Sequence, residues 1–250
     1  MSQNGSILSL FAKPKPIIGM LHLKGEEDGT VMERLKREID LYVENGVDGV
    51  IVEGYFGTYP SMVKGLEYVR EAKLPIPYGV NCLHVDAMGF ELAMDYDAAF
   101  LQLDSVIGHL KPRDEASEAA FLDLYRSRYQ GKVMGGVRFK YMPVKSANTV
   151  EEDLIIAKDR CDAVCVTQDA TGQETSIDKI RQFRGALGDF PLFVAAGLTP
   201  ENVASSFAYA DGAIVGSYFK DTYKDTGDVC AEHVRTMMDA VNAVRSELND

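Results

Sequence analysis

Seven polar residues stand where apolar runs of the chain end: His22, Glu53, Asn81, Asp104, Lys140, Asp169 and Ser217. His84 and Asp86 follow just past the third run. Carboxylates and a lysine gathered in one confined space can do acid/base chemistry, because burial and mutual charge push their pKa values apart. On this reading Glu53, Asp86 and Asp104 exchange protons and His22 shuttles them. Lys140 stabilises developing negative charge, or forms a Schiff base if it is buried and deprotonated. Asn81 is a candidate ligand contact. Taken singly, each residue reads as well as a solvated loop charge; taken as a set, they favour a site.

A second chemistry is suggested by "ADGAIVGSYFK" (210–220) and "AGLTPEN" (196–202). Phosphate oxygens need backbone N–H groups at close range, and side chains obstruct that approach. Gly197, Gly216 and Ser217 are therefore candidates to bind a phosphate, with Thr199 capping a helix whose first residue is Pro200. Taken alone, Gly216–Ser217 reads first as an ordinary tight turn, since short glycine motifs are weak signals. In "TQDATGQETSIDKIRQF" (167–183), Thr171 and Gly172 are candidate ligand contacts, and Ser176 or Thr175 the cap of the next helix.

Metal chemistry has little support. "CDAVC" places Cys161 and Cys165 in an apolar run with no second Cys/His pair, so buried free thiols are expected. The four histidines are scattered with no H-x-x-x-H pair. No cofactor can be named.

The elements that must position these residues alternate from end to end. Apolar, strand-like runs occur at 16–21, 49–53, 76–80, 98–104, 132–139, 163–167, 191–196 and 212–216. Helix-like runs follow each, near 30–45, 60–72, 87–95, 114–130, 150–159, 176–187, 200–207 and 229–247. Continuously apolar strands between helices imply a parallel sheet covered on its outside. Eight such units in 250 residues predict an α/β fold, one (β/α)8 TIM barrel spanning residues 1–250, with the phosphate site at strands 7 and 8. A doubly wound open sheet is the runner-up, but "GMLHLKGEEDG" is not the glycine-rich loop expected after its first strand.

Closure has its own signature. The second, sixth and eighth strands begin alike, "VDGVIVE", "CDAVCVT" and "ADGAIVG", and the fourth is similar with its register open by two residues. Alternate strands of a barrel fill the same interior layers, so a small residue after each aspartate suits a tight lower layer. Alternation then places Glu53, Thr167, Gly216 and either Gln102 or Asp104 toward the mouth.

Lys and Arg number 26 against 38 Asp and Glu, a net charge of −12. That balance argues against nucleic-acid binding, which needs a basic face, but leaves room for a local anion pocket. Apolar runs fall far short of membrane-spanning length and no signal-peptide pattern opens the chain, so a cytoplasmic protein without membrane insertion is expected. A homo-oligomer is compatible with the sequence and is not specified by it.

Together "PIIGMLHL", "GVDGVIVE", "YGVNCLHVDA", "ATGQETSIDKIRQ", "AGLTPENV" and "ADGAIVGSYFK" resemble, in order, spacing and side-chain type, the BtpA/SgcQ family. The resemblance spans most of the chain. It implies a phosphate-binding-type TIM barrel without fixing a reaction. The chain departs from the family pattern at Gly54, Val85, Gln102 and Asp104, and "GVRFKYM" keeps only Lys140 of the family's polar fifth-strand set. Two functions are then expected in competition. One is an enzyme, a lyase, isomerase or hydrolase, acting on a small sugar phosphate or nucleoside phosphate. The other is a non-catalytic biogenesis or stability factor for a membrane complex, as the family's association with photosystem I implies.

Overall fold

A computed structural model describes residues 5–25, 28–83, 85–108, 115–144 and 147–248. Eight parallel strands close into a barrel in sequence order: β1 (Ile17–His22), β2 (Gly49–Glu53), β3 (Tyr78–Asn81), β4 (Phe100–Leu103), β5 (Lys132–Gly136), β6 (Ala163–Val166), β7 (Leu192–Val194) and β8 (Gly212–Val215). The ring shuts where β1 pairs β8, with Ile17 against Ala213 and Gly19 against Val215. The outer layer is α1 (Asp28–Glu44), α2 (Tyr59–Ala72), α3 (Asp86–Asp95), α4 (Glu115–Arg128), α5 (Val150–Arg160), α6 (Ile177–Leu187), α7 (Val203–Phe207) and α8 (Ala231–Glu247). This is the (β/α)8 TIM barrel the alternating pattern predicts. No helix among the described residues is long and apolar enough to cross a membrane.

Apart from half-buried Tyr78, every strand residue is buried, as a sheet with a filled interior and a helical coat requires. One apolar cluster lies between strands and helices. A second fills the barrel and includes Ile7, Phe11, Ile51, Phe100, Cys165, Phe193 and Ile214. The N-terminal segment thus closes the lower end: Phe11 lies 6.1 Å from the Phe100 ring and 6.4 Å from that of Phe193. The small residues after the recurring aspartates make room for these rings. A methyl group on Gly49 would sit 3.0 Å from Phe11, and one on Gly212 would overlap Phe193. Cys161 and Cys165 are buried free thiols, pushed up in pKa by burial.

The aspartates themselves do something the pattern alone did not reveal. Asp48, Asp162 and Asp211 each precede an even-numbered strand, and each accepts a hydrogen bond from a main-chain N–H of the strand before it: Ile17 at 2.8 Å, Val133 at 2.9 Å and Leu192 at 2.9 Å. Each is also paired with an arginine from the helical layer, Arg245, Arg126 and Arg184 respectively. The fourth strand lacks this bracket. Asp97 has a left-handed backbone (φ 54°), and Ala99 takes the place of the aspartate by donating its N–H to Tyr78 O. That places Asp104 in the position of Glu53.

Most boundaries shift from expectation by one or two residues, and two shift by three. β5 stops at Gly136 instead of running to 139, because Gly136 packs against the main chain of Asp104 and the backbone then turns through left-handed Arg138 and Tyr141. α7 begins at Val203, so Thr199 and Pro200 do not open it. Residues 199–202 instead form a turn in which the Asn202 side chain accepts the Thr199 N–H at 2.8 Å and donates to Gly197 O at 2.9 Å.

Candidate active site

A cavity of about 240 Å³ opens at the carboxyl ends of the strands. His22, Glu53, Asn81, Asp104 and Lys140 line it, as do Gly197, Gly216 and Ser217 across the mouth. Thr171 and Gly172 reach it from the loop after β6. Gln102 and Asp104 both face in, as their shared strand face requires. Asp86, expected with the acids, does not line the cavity, and Asp169 lines a separate cleft beside Arg138 and Lys179. His84 lies outside the described residues.

The acid side of the site is built around β1 and β2. His22 and Glu53 end adjacent strands in register, and His22 Nε2 meets Glu53 Oε2 at 3.0 Å. The other ring nitrogen faces Asp225 O at 3.1 Å. Both ring nitrogens therefore face oxygen acceptors. An Nδ1–H donated to the carbonyl would leave Nε2 facing the carboxylate, a pair that can share one proton. Both side chains are buried, so a ligand placed against them meets a fixed, desolvated pair.

Asn81 and Asp104 form the next pair. Asn81 Oδ1 accepts the Leu83 N–H at 2.8 Å, which orients the amide so that Nδ2 faces Asp104 Oδ1 at 3.4 Å. Lys140 enters from the neighbouring strand, after the turn that ends β5. Its main-chain N–H donates to Thr167 Oγ1 at 2.7 Å, and its ammonium lies 5.6 Å from the Phe139 ring centroid. Thr167, expected at the mouth, thus brackets Lys140 from beneath and is fully buried.

The glycines at β7 and β8 have different physical reasons. Gly197 has φ 67°, and a methyl group there would strike the main chain of Gln173 and Glu174. It is glycine because the loop after β6 lies directly on it, a contact fastened by Thr175 Oγ1 donating to Ala196 O at 3.0 Å. Ser176, meanwhile, caps α6. Gly216 has φ −112°, and a methyl group there would lie 3.5 Å from Met20 and 3.9 Å from His22, in ordinary contact. The neighbours leave room for a side chain at 216, while φ −112° with ψ −80° lies outside the main α and β regions. The effect of glycine there is to leave the cavity wall flat. Gly172 (φ 76°) lies against Ser217, where its own methyl group would be 3.5 Å from Oγ.

Several lining residues escaped the sequence reading: Tyr55, Tyr141, Tyr218, Tyr223 and Asp225. Their signal was compositional only, in "EGYFGTY", "RFKYM" and "YFKDTYKD". Asp225 belongs to the loop between β8 and α8. That loop is fastened by Lys24, which donates to Thr226 O and Gly227 O, and by Lys24, Arg34 and Arg37 around Asp228. Lys220, which closes the glycine segment, turns away from the cavity into a buried ion pair with Glu38.

Asp86, half-buried at the start of α3, is pushed up to about 7, chiefly by burial and then by the charges of Glu118 and Asp104. A carboxyl whose native pKa exceeds its unfolded value costs stability as pH rises between the two. Asp86→Asn is therefore expected to stabilise the fold at pH 8 by on the order of 1–2 kcal/mol, allowing for solvent access. The gain should vanish at about pH 2, below both pKa values, where both states of the wild type are protonated. Urea denaturation at the two pH values tests this, and an equal gain at both would refute it.

Relatives and structural neighbours agree with this architecture. An uncharacterized protein of Pyrococcus abyssi is 28% identical over 93% of this chain and 98% of its own length. The photosystem I biogenesis protein BtpA of Synechocystis is 24% identical over 86% of this chain and 83% of its own. Among solved structures, native KDPGal aligns with TM-score 0.64 at 14% identity, covering 92% of this chain and 96% of its own. Phosphoribosylanthranilate isomerase of Thermotoga maritima aligns with TM-score 0.60 at 14% identity, covering 92% and 99%. At such identities these two structures speak for the fold alone. Residues 13–243 match the BtpA family from the first strand to the last helix, and the chain belongs to that family.

Proposed function

We propose that this protein is an enzyme acting on a small phosphorylated metabolite. The phosphate lies at Gly197, Gly216 and Ser217, and the reacting end lies against Glu53, Asp104, His22 and Lys140. The observation that carries this reading is the single cavity lined by both groups of residues. Catalytic groups at the carboxyl ends of several strands, with phosphate held after strands 7 and 8, is the arrangement this fold uses widely. The His22–Glu53 pair supplies an acid or its conjugate base, and Lys140 supplies positive charge for a developing oxyanion. Asp86, pushed up to about 7 by burial and by the charges of Glu118 and Asp104, is assigned a supporting role in setting the charge of that side of the site.

The alternative, a non-catalytic biogenesis factor, draws on the name of the Synechocystis relative. It makes the outer surface the working part and leaves the mouth without a ligand. A thermal-shift screen of sugar phosphates and nucleotides separates the two. Binding by one of them, with turnover lowered at least about 100-fold in Glu53→Gln at unchanged melting temperature, is the expected result. Wild-type turnover in that variant would remove Glu53 from the chemistry, and no stabilisation by any phosphorylated compound would favour the alternative.

A further inference from the structure

Four tyrosines, Tyr55, Tyr141, Tyr218 and Tyr223, line the cavity. Three of them remain substantially in solvent, at 38% exposure for Tyr55, 63% for Tyr141 and 56% for Tyr223. Large rings left in water around one concave site are unusual unless something covers them. Two are also held in a backbone conformation that bulky residues avoid: φ is 62° at Tyr141 and 55° at Tyr223. Strain of that kind persists where the surroundings impose it, and it concentrates at ligand clamps.

The surroundings do impose it. The Tyr141 hydroxyl accepts the Thr171 N–H at 2.9 Å, tying the loop after β5 to the loop after β6. Tyr223 stacks on His233 at 4.3 Å with the rings 13° apart, and Tyr218 lies 5.6 Å from it. Tyr55 stacks on His22 at 5.5 Å, and its hydroxyl hydrogen-bonds to Asp225. These rings are fixed rather than loose. Three carboxylate acceptors, Glu53, Asp104 and Asp225, line the same cavity.

Fixed aromatic faces with carboxylate acceptors between them fit a flat ring that carries N–H donors. A bare sugar phosphate has no flat face, and would leave the tyrosines wet. We infer that the ligand carries a planar nitrogen heterocycle, seated among the exposed tyrosine rings at the rim with its N–H groups toward Asp225. This deepens the reading of the cavity as a site for a phosphorylated metabolite, and rests on it for the other end of the ligand: the heterocycle is at the rim and the phosphate at Gly216–Ser217. The chemical class is that of a nucleoside phosphate.

Calorimetric titration of the full chain with the four ribonucleoside 5′-monophosphates, their nucleosides and ribose 5-phosphate tests it. At least one nucleotide is expected to bind about tenfold or more tighter than ribose 5-phosphate, since stacking on aromatic side chains is a strong, sequence-tolerant source of affinity. Tyr141→Leu and Tyr55→Leu should each remove most of that advantage, leaving ribose 5-phosphate affinity unchanged. Tyr141→Phe, which keeps the ring and loses only the hydroxyl, should restore it. A nucleoside binding as tightly as its nucleotide would support the ring assignment and refute the phosphate end. Equal affinity for ribose 5-phosphate and every nucleotide, no binding by any heterocyclic probe, or an unchanged advantage in both leucine variants would each overturn the inference.

Discussion

Asp48→Ala is expected to destabilise the protein by about 3–5 kcal/mol, the usual cost of removing one partner from a buried ion pair. Asp48 and Arg245 are 8% and 5% exposed, and the aspartate accepts from both the guanidinium and the Ile17 N–H. The variant strands a buried charge and a strand N–H together. Arg245 also donates to Pro14 O and Lys15 O, so part of its charge stays solvated by carbonyls, and the lower half of the range is the firmer expectation. The same substitution at the two related brackets should cost less, in order of exposure. The side chain is 5% exposed at Asp48, 11% at Asp162 and 27% at Asp211. Urea denaturation of the three alanine variants checks the order, and a cost at Asp211 equal to that at Asp48 would show that desolvation is not what matters. Acid adds a second check. Burial alone would raise Asp162, but Arg126 and the Val133 N–H outweigh it and hold it below the usual carboxylate range. A depressed native pKa stabilises above the unfolded value and is lost as pH falls through the native one, so the Asp162→Ala deficit should shrink on acidification.

These brackets show what could be read in advance. The recurrence of aspartate, then a small residue, then an apolar run was visible, because a closed barrel repeats its interior layers on alternate strands. The packing reason for Gly49 and Gly212 was therefore legible. The electrostatic one was not, since the arginine partners lie 126, 184 and 245 residues along the chain with no spacing to announce them. Glu53, Asn81 and Asp104 were accessible as candidate mouth residues because strand alternation fixes which way a residue at a strand end points. Lys140 reaches the cavity for another reason: β5 ends four residues earlier, at Gly136, and two left-handed residues fold the chain back. Asp86 failed the same reasoning because it opens a helix, whose direction the strand pattern does not set. The tyrosine rim and Asp225 sit in loops, where position follows from tertiary contacts such as Lys24 with the 226–227 main chain.

Gly216→Val should abolish binding of a phosphorylated ligand, a loss of about 100-fold or more, while leaving the barrel folded. The expectation follows from the contrast between two glycines that look alike in sequence. At Gly197, positive φ and the overlying main chain of 173–174 already explain the glycine, and Gly197→Ala should cost about 2–4 kcal/mol of stability through strain and displaced backbone. At Gly216 the neighbours leave room for a side chain: the nearest atoms to an added methyl group are 3.5 Å away or more, and φ is an ordinary negative −112°, although ψ −80° lies outside the main α region. What the absence of a side chain preserves is the wall beside Ser217, where a single 3₁₀ turn, Ser217–Phe219, begins. The first bond of that turn runs from Phe219 N–H to Gly216 O, so the N–H groups of Ser217 and Tyr218 come before it and are offered at its start. In a chain of net charge −12, an anion needs such a local positive field. A branched side chain at 216 occupies the space where phosphate oxygens would meet those groups. Thermal denaturation and ligand titration of the two variants separate the roles: Gly197→Ala is expected to melt early, and Gly216→Val to melt as a folded protein that binds nothing. Normal affinity in a folded Gly216→Val protein would mean that the segment is a turn and no more, and would move the phosphate away from β8.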